Sequence, residues 1–239
     1  MVIERPIFVF GSNRLGIHGA GAAKFARNHF GAQLGVGEGL TGQSYALPTK
    51  HDPRSTLPYD DVVESVFRFL ATAKSHPDLS FFLTPVGTGF AGFSLAEIAP
   101  LFHGAPKNVL LPGAFQSHFR FPNRLLVAGG LHHPDPKVWL QRVAKAQSKL
   151  HAELVLCMDS GPGPDQLLSL WGEDRNIPVW SFPAERERLR AQAFSVRNRL
   201  LASFVTHVLV FDNGCNPELA QLVKALESEK ITVVVVSYS

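Results

Sequence analysis

The chain is poor in cysteine, with Cys157 and Cys215 the only two in 239 residues. At that spacing they build neither a disulfide framework nor a zinc site, so a reduced, cytoplasmic compartment is expected. No apolar run approaches the roughly 18 residues of a membrane span, and no membrane partner is expected. The opening stretch, Met1 to Gly11, has no basic n-region, long apolar core or small-residue cleavage site, so it does not read as a secretion signal. There is no internal repeat of fixed period and no low-complexity tract. Charge is also sparse. Charged residues make up 18% of the chain and the formal net charge is +3. Lysines and arginines are scattered, without the basic helix or aromatic stripe of a nucleic-acid binder. A pI near 9.0 suits a small anionic ligand instead. Nothing in the residue pattern implies a metal or a cofactor.

What the chain does have is apolar content, 45%, enough to fill a core and to exclude disorder. The stretch PGAFQSHFRFPNR at 112–124 separates two apolar runs with two prolines, a glycine and polar residues, which reads as a connection. It divides the chain into domains 1–118 and 119–239. In the first, strands are expected at 7–10, 44–47 (stopped by Pro48), 79–85 and 109–111. Helices are expected at 20–29, 59–75 and 94–102, and 31–42, with five glycines, reads as a loop. The second alternates more regularly. Strands at 125–128, 154–158, 179–182, 208–211 and 232–236 are separated by helical stretches at 138–150, 164–175, 195–203 and 217–229. Strands apolar throughout, between amphipathic helices, argue for a parallel sheet covered on both faces, a Rossmann-like arrangement. The fold class is therefore α/β.

Chemistry begins at GSNRLGIHGAGAAKFARNHFG, residues 11–31, where a strand feeds a Gly-rich loop and then a helix. Glycines let backbone N–H groups approach an anion, and a helix N-terminus favours negative charge. A second Gly-rich loop, GTGFAGF at 87–93, also follows a strand, so the two could hold one ligand from two sides. Candidate ligand contacts are Gly11, Ser12, Gly19, Gly21, Ala22, Gly87, Thr88, Gly89, Phe90, Gly92 and Phe93. Asn13, His18 and Lys24 are the candidate catalytic residues: Asn13 to orient a hydroxyl or water, His18 as a base near neutral pH, Lys24 as a nucleophile. The plain alternatives are a turn-forming asparagine, an exposed loop histidine and a solvated lysine. Glu38 is a runner-up acid/base. Over residues 5–112, the blocks IFVFGSN, HGAGAAKFARNHFG and LSFFLTPVGTGFAGFSLAEIAPLF resemble a macro domain, an ADP-ribose-binding three-layer α/β/α module. They are closest to its terminal ADP-ribose glycohydrolase branch and to phage-associated macro-like proteins. The match is incomplete: Ala91 stands where that branch carries a catalytic aspartate, and Lys24 is out of register with its lysine. Binding carries over better than hydrolysis.

In the second half, four loops follow strands, the positions where a Rossmann-like sheet takes ligands. Candidate contacts there are Gly129, Gly130, Ser160, Gly161, Gly163, Asp165, Asn213 and Gly214, with Arg197, Asn198 and Arg199 at the start of a helix, where arginine can grip phosphate bidentately. The segments SGPGPDQLLSLWGEDRNIPVWSFPA at 160–184 and VRNR at 196–199 resemble the SLOG superfamily, with its DprA-like and LOG-like nucleotide-binding domains. The last loop, NGCNPEL at 213–219, departs from the Gly-Gly-x-Gly-Thr of such proteins, and Glu218 only approximates the glutamate of LOG-type hydrolases. Together the two resemblances imply a protein that senses, sequesters or processes an ADP-ribose- or NAD-derived nucleotide. An ADP-ribosyl or N-glycosidic hydrolase is the alternative, and a DprA-like nucleic-acid binder ranks third. The SLOG resemblance alone implies a homodimer.

Overall fold

The computed structural model describes residues 5–119, 123–130, 133–158, 163–229 and 231–238. The chain forms two compact units, one Arg5–Arg120 and the other built from Phe121–Ser239. Each is α/β around one five-stranded, mostly parallel sheet. No helix among the described residues is long and apolar enough to cross a membrane.

The first unit runs β1 (Ile7–Asn13), α1 (Gly21–His29), β2 (Gly39–Thr41), β3 (Ser44–Lys50), α2 (Tyr59–Ser75), β4 (Phe81–Leu83), α3 (Leu95–Ile98) and β5 (Val109–Leu110). The sheet order is β2-β3-β1-β4-β5, antiparallel only between β2 and β3. Four consecutive apolar residues, Ile7 to Phe10, are buried, so β1 is covered on both faces. On one face Phe8 stacks on Phe30 at 4.7 Å and meets the edge of Phe25 from α1 at 5.4 Å. On the other, Tyr45, which is in register with Val9, packs edge-on against Phe69 of α2 at 5.0 Å. The apolar spacing of α2 thus serves Val62, Val66 and Phe69, all buried.

Two expectations fail here. β3 does not stop at Pro48 but continues to Lys50. Pairing with β2 ends at Ala46, so the missing N–H of Pro48 falls on an open edge, where no ladder bond is lost. The 31–42 stretch is not wholly loop, because Gly39–Thr41 pairs with β3.

The second unit runs β6 (Asn123–Gly129), α4 (Pro136–Leu150), β7 (Ala152–Cys157), α5 (Pro164–Arg175), β8 (Val179–Ser181), α6 (Arg186–Leu189), α7 (Ala193–Phe204), β9 (His207–Asp212), α8 (Pro217–Ser228) and β10 (Val233–Ser237). All pairs are parallel, in the order β10-β9-β6-β7-β8. Trp139, Val143, Leu168 and Trp171 pack on Leu125, Val127, Leu209 and Phe211 to make its core. α6 was not foreseen: its four residues bury nothing, so they carry no periodic signal. Nor is every strand covered. β10 is an edge strand with Val234 and Val235 about half exposed.

Arg124 is buried at the start of β6. Its Nη1 donates to the Phe204 carbonyl at 2.9 Å and its guanidinium lies 3.9 Å above the Phe204 ring. Burial pushes its pKa down to about 9, so it remains a cation at neutral pH, placed favourably at the last turn of α7. At the other end of β6, Gly129 has φ +78°, and a Cβ there would collide with the Phe211 carbonyl oxygen. One on Gly130 would collide with the Trp139 indole nitrogen.

Gly129→Ala should therefore cost at least about 2 kcal/mol, from left-handed strain plus overpacking, and lower the melting temperature by roughly 5–10 °C. Trp139, Trp171 and Trp180 all lie in the second unit, so tryptophan fluorescence during a thermal melt reads this loss directly.

Candidate functional site

In the first unit β1, β3 and β4 are parallel neighbours, so their carboxyl ends share one rim. The sheet extends from β1 in both directions, and the carboxyl end of such a central strand is where open α/β sheets take ligands. Asn13 ends β1. Its Nδ2 donates to the Ile17 carbonyl at 2.8 Å and its Oδ1 accepts from the Ile17 N–H at 3.0 Å. The amide is thus a clasp closing the 13–17 turn, and the turn-forming alternative describes it better than a ligand-facing role. Gly11 and Ser12 belong to β1 itself, and the Ser12 hydroxyl donates to the Gly37 carbonyl.

The 13–19 segment lies directly on the 31–37 segment, backbone against backbone. Gly35 N–H donates to the Gly16 carbonyl at 3.1 Å. A Cβ on Gly16 would strike Gly35 and Val36, and one on Gly37 would strike the carbonyls of Asn13 and Arg14. Beneath this contact sits His18, 0% exposed, edge-on to Phe10 at 5.1 Å. It is neither an exposed loop residue nor a base open to solvent. Burial pushes its pKa below the ordinary value. The backbone of Gln33 and Val36 lies close enough to oppose this without reaching hydrogen-bond geometry, and Arg27 adds to the lowering. Lys24 points from α1 as an exposed residue, and Gly19 is exposed with open space around its Cα. Glu38 is held by Arg68 through two contacts, at 2.7 and 3.3 Å, which leaves it poorly placed as an acid/base.

The two Gly-rich loops do meet. The Phe90 ring, 76% exposed, lies against Gly21 at the first turn of α1, and the Gly11 backbone lies beside the Gly87 N–H. Thr88, Gly92 and Phe93 commit their amides to turns within the loop, to the carbonyls of Pro85, Gly89 and Gly87. The N–H groups of Gly21, Ala22, Gly87, Gly89, Phe90 and Ala91 donate no hydrogen bond among the described residues. Lys50, at the end of β3 and in register with Asn13, holds the same loop. Its Nζ donates to the carbonyls of Pro53 at 2.7 Å and Phe90 at 3.3 Å, and it pairs with no carboxylate among the described residues. Asp52, its pKa held at about 2 chiefly by the Ser55 hydroxyl, knits the adjoining 51–55 turn. The sequence reading missed Lys50 because it stopped the strand at Pro48. A lone lysine closing an apolar strand was the available signal.

The second unit's rim is differently built. Arg197, 5% exposed, donates to the Asn198 amide oxygen, to the Met158 carbonyl at 3.2 Å and to the Glu218 carboxylate. It therefore ties the end of β7 to the start of α8 and cannot also grip a phosphate bidentately. Asn198 is buried, and its Nδ2 has no partner among the described residues. Arg199 is exposed and Asp165 half-buried in the first turn of α5. Gly163, with φ +117°, precedes that helix as its N-cap residue. In the last loop, side chains satisfy the amides: Asp212 takes the Gly214 N–H, Asn213 the Cys215 N–H and Asn216 the Glu218 N–H. Asn213 and Gly214 thus offer no cradle like that expected, because short polar side chains compete for the same donors. Gly129 and Gly130 serve the close packing described above. Ser160 and Gly161 lie outside the described residues. No group of three or more His, Cys, Asp or Glu among the described residues could hold a metal ion.

No family model, curated protein or solved structure matches this chain.

Removing the Glu218 carboxylate strands a buried guanidinium. Glu218→Ala should destabilise the second unit by about 2–3 kcal/mol, less than a fully buried pair because Glu218 is partly exposed. Replacing both partners, Arg197→Met with Glu218→Leu, should recover most of the loss. Urea unfolding followed by tryptophan fluorescence tests both.

Proposed function

We propose that the first unit binds the diphosphate of an ADP-ribose- or NAD-derived nucleotide at its carboxyl rim, as a macro-like module. The observation that carries this reading is the meeting of two loops that each keep unengaged N–H groups, beside a lysine that pairs with no carboxylate among the described residues. A diphosphate presents several acceptor oxygens and negative charge, and these groups offer the matching donors and a cation. The exposed Phe90 ring beside Gly21 offers an apolar face to a sugar or base. The second unit, with its strand order turning at β6, is proposed as a Rossmann-like nucleotide fold. Its most buried arginine is already neutralised by Glu218, so the phosphate-binding role falls to the first unit.

Binding without turnover is favoured over hydrolysis. Asn13 is closed on Ile17, His18 is buried, and Ala91 replaces the acid of the hydrolytic branch.

Calorimetric titration with ADP-ribose should show binding that weakens with added salt. Lys50→Ala should reduce affinity about tenfold, the loss of roughly one charge-assisted hydrogen bond. An ADP-ribosylated protein substrate should release no ADP-ribose on incubation, and release would favour the hydrolase. Absence of ADP-ribose binding would overturn the reading.

A further inference from the structure

Polar groups buried without partners are rare in folded proteins, and each needs a reason. His18 has two. Both ring nitrogens lack a hydrogen-bond partner among the described residues, and the side chain is 0% exposed. The ring hangs from the 14–20 segment that joins the Asn13 clasp to the first turn of α1. Its seat between Phe10 and the 31–37 segment therefore helps to set where the Gly21 and Ala22 amides stand.

We infer that His18 is a proton-operated latch on this rim: neutral, it fills the seat and holds the amides in place; protonated, it leaves, and the 14–20 segment opens. Among the described residues, the elements packed against the ring give no counter-charge. β1 carries no ionisable side chain, and neither does the 31–37 segment. From α1 the charged group acting on the ring is Arg27, of the same sign, and Lys24 and His29 share that helix. Glu38, next along the chain, is held by Arg68. The backbone of Gln33 and Val36 favours an imidazolium in the seat, but burial is the larger effect and Arg27 adds to it, so exposure of the ring relieves a net penalty. Among the described residues the segment is held at its start, by the Asn13–Ile17 pair, the Arg14 N–H on the Lys50 carbonyl, the exposed Arg14–Asp61 ion pair and the backbone hydrogen bonds of Gly16 to Asn13 and Gly35, while 18–20 are held chiefly by the seated ring.

The sign of the pH dependence follows. Burial lowers the pKa of the seated ring from its ordinary 6.5, so the open state takes up the proton first as pH falls. The closed rim is fully favoured above that value and loses stability below it, by up to tenfold in population per pH unit.

Hydrogen exchange of the full-length protein at pH 7.5 and 5.5, corrected for intrinsic rates, tests the latch. Exchange across residues 13–22 should rise on the acid side, by up to about tenfold, while 62–73 in α2 stays protected. His18→Phe keeps a ring against Phe10 and should remove the acid step. If that variant does not fold, carbon-13 NMR of the wild-type His18 ring decides instead: it should titrate below 6.5, together with the opening of 13–22. The same acid step in His18→Phe, or a ring that titrates without any change in 13–22, overturns the inference. Regulation of binding rests on the proposed function, so ADP-ribose affinity is measured alongside and should fall with the opening. A persisting exchange step with no ADP-ribose binding at either pH would support the latch and overturn the binding reading.

Discussion

The close approach of bare main chain governs both units. In the first, Gly16 and Gly37 bring two loops into backbone contact, so that the segment leading to α1 rests on peptide groups and not on side chains. In the second, Gly129 lets the end of β6 lie against the Phe211 carbonyl, and Gly130 makes room for the Trp139 ring. Where no Cβ intervenes, peptide N–H groups either find partners in the neighbouring segment or stand at the rim. The candidate site of the first unit is the set that stands at the rim.

Charge is handled in opposite ways. Lys50 sits at the first rim, donating to two carbonyl oxygens and meeting no carboxylate among the described residues, so its positive charge is unmatched there. Arg197 sits at the second with its charge already met by Glu218, while the nearby loop turns its amides onto Asp212, Asn213 and Asn216. Two sheets of related strand logic thus present one rim suited to an anion and another that is locally self-satisfied. This difference, rather than the glycine count of either half, separates a rim with unengaged donors from a self-satisfied one.

Much of the architecture was legible from periodicity. Apolar strands and the spacing of Val62, Val66 and Phe69 announce burial, because a period of 2 or 3.6 is imposed by the backbone itself. The bounds of α5 at Pro164 and Arg175, and of α2 at Tyr59 and Ser75, follow from such local rules. Pro48 was misread because a local rule, that proline ends a strand, yields to which edge of the strand its nitrogen faces. β2 and α6 carry too few residues for any period to show.

The residues alone determined the α/β class and the positions of the Gly-rich turns, since these depend on neighbours along the chain. Tertiary structure alone decided which of the named side chains remain open to a ligand. Asn13 closes on Ile17, His18 goes under a loop, Arg197 finds a carboxylate 21 residues away, and Lys50 meets only carbonyl oxygens among the described residues. A hydrogen-bonding group can be occupied by any partner that folding brings within about 3 Å, and sequence spacing carries no record of which partner that is.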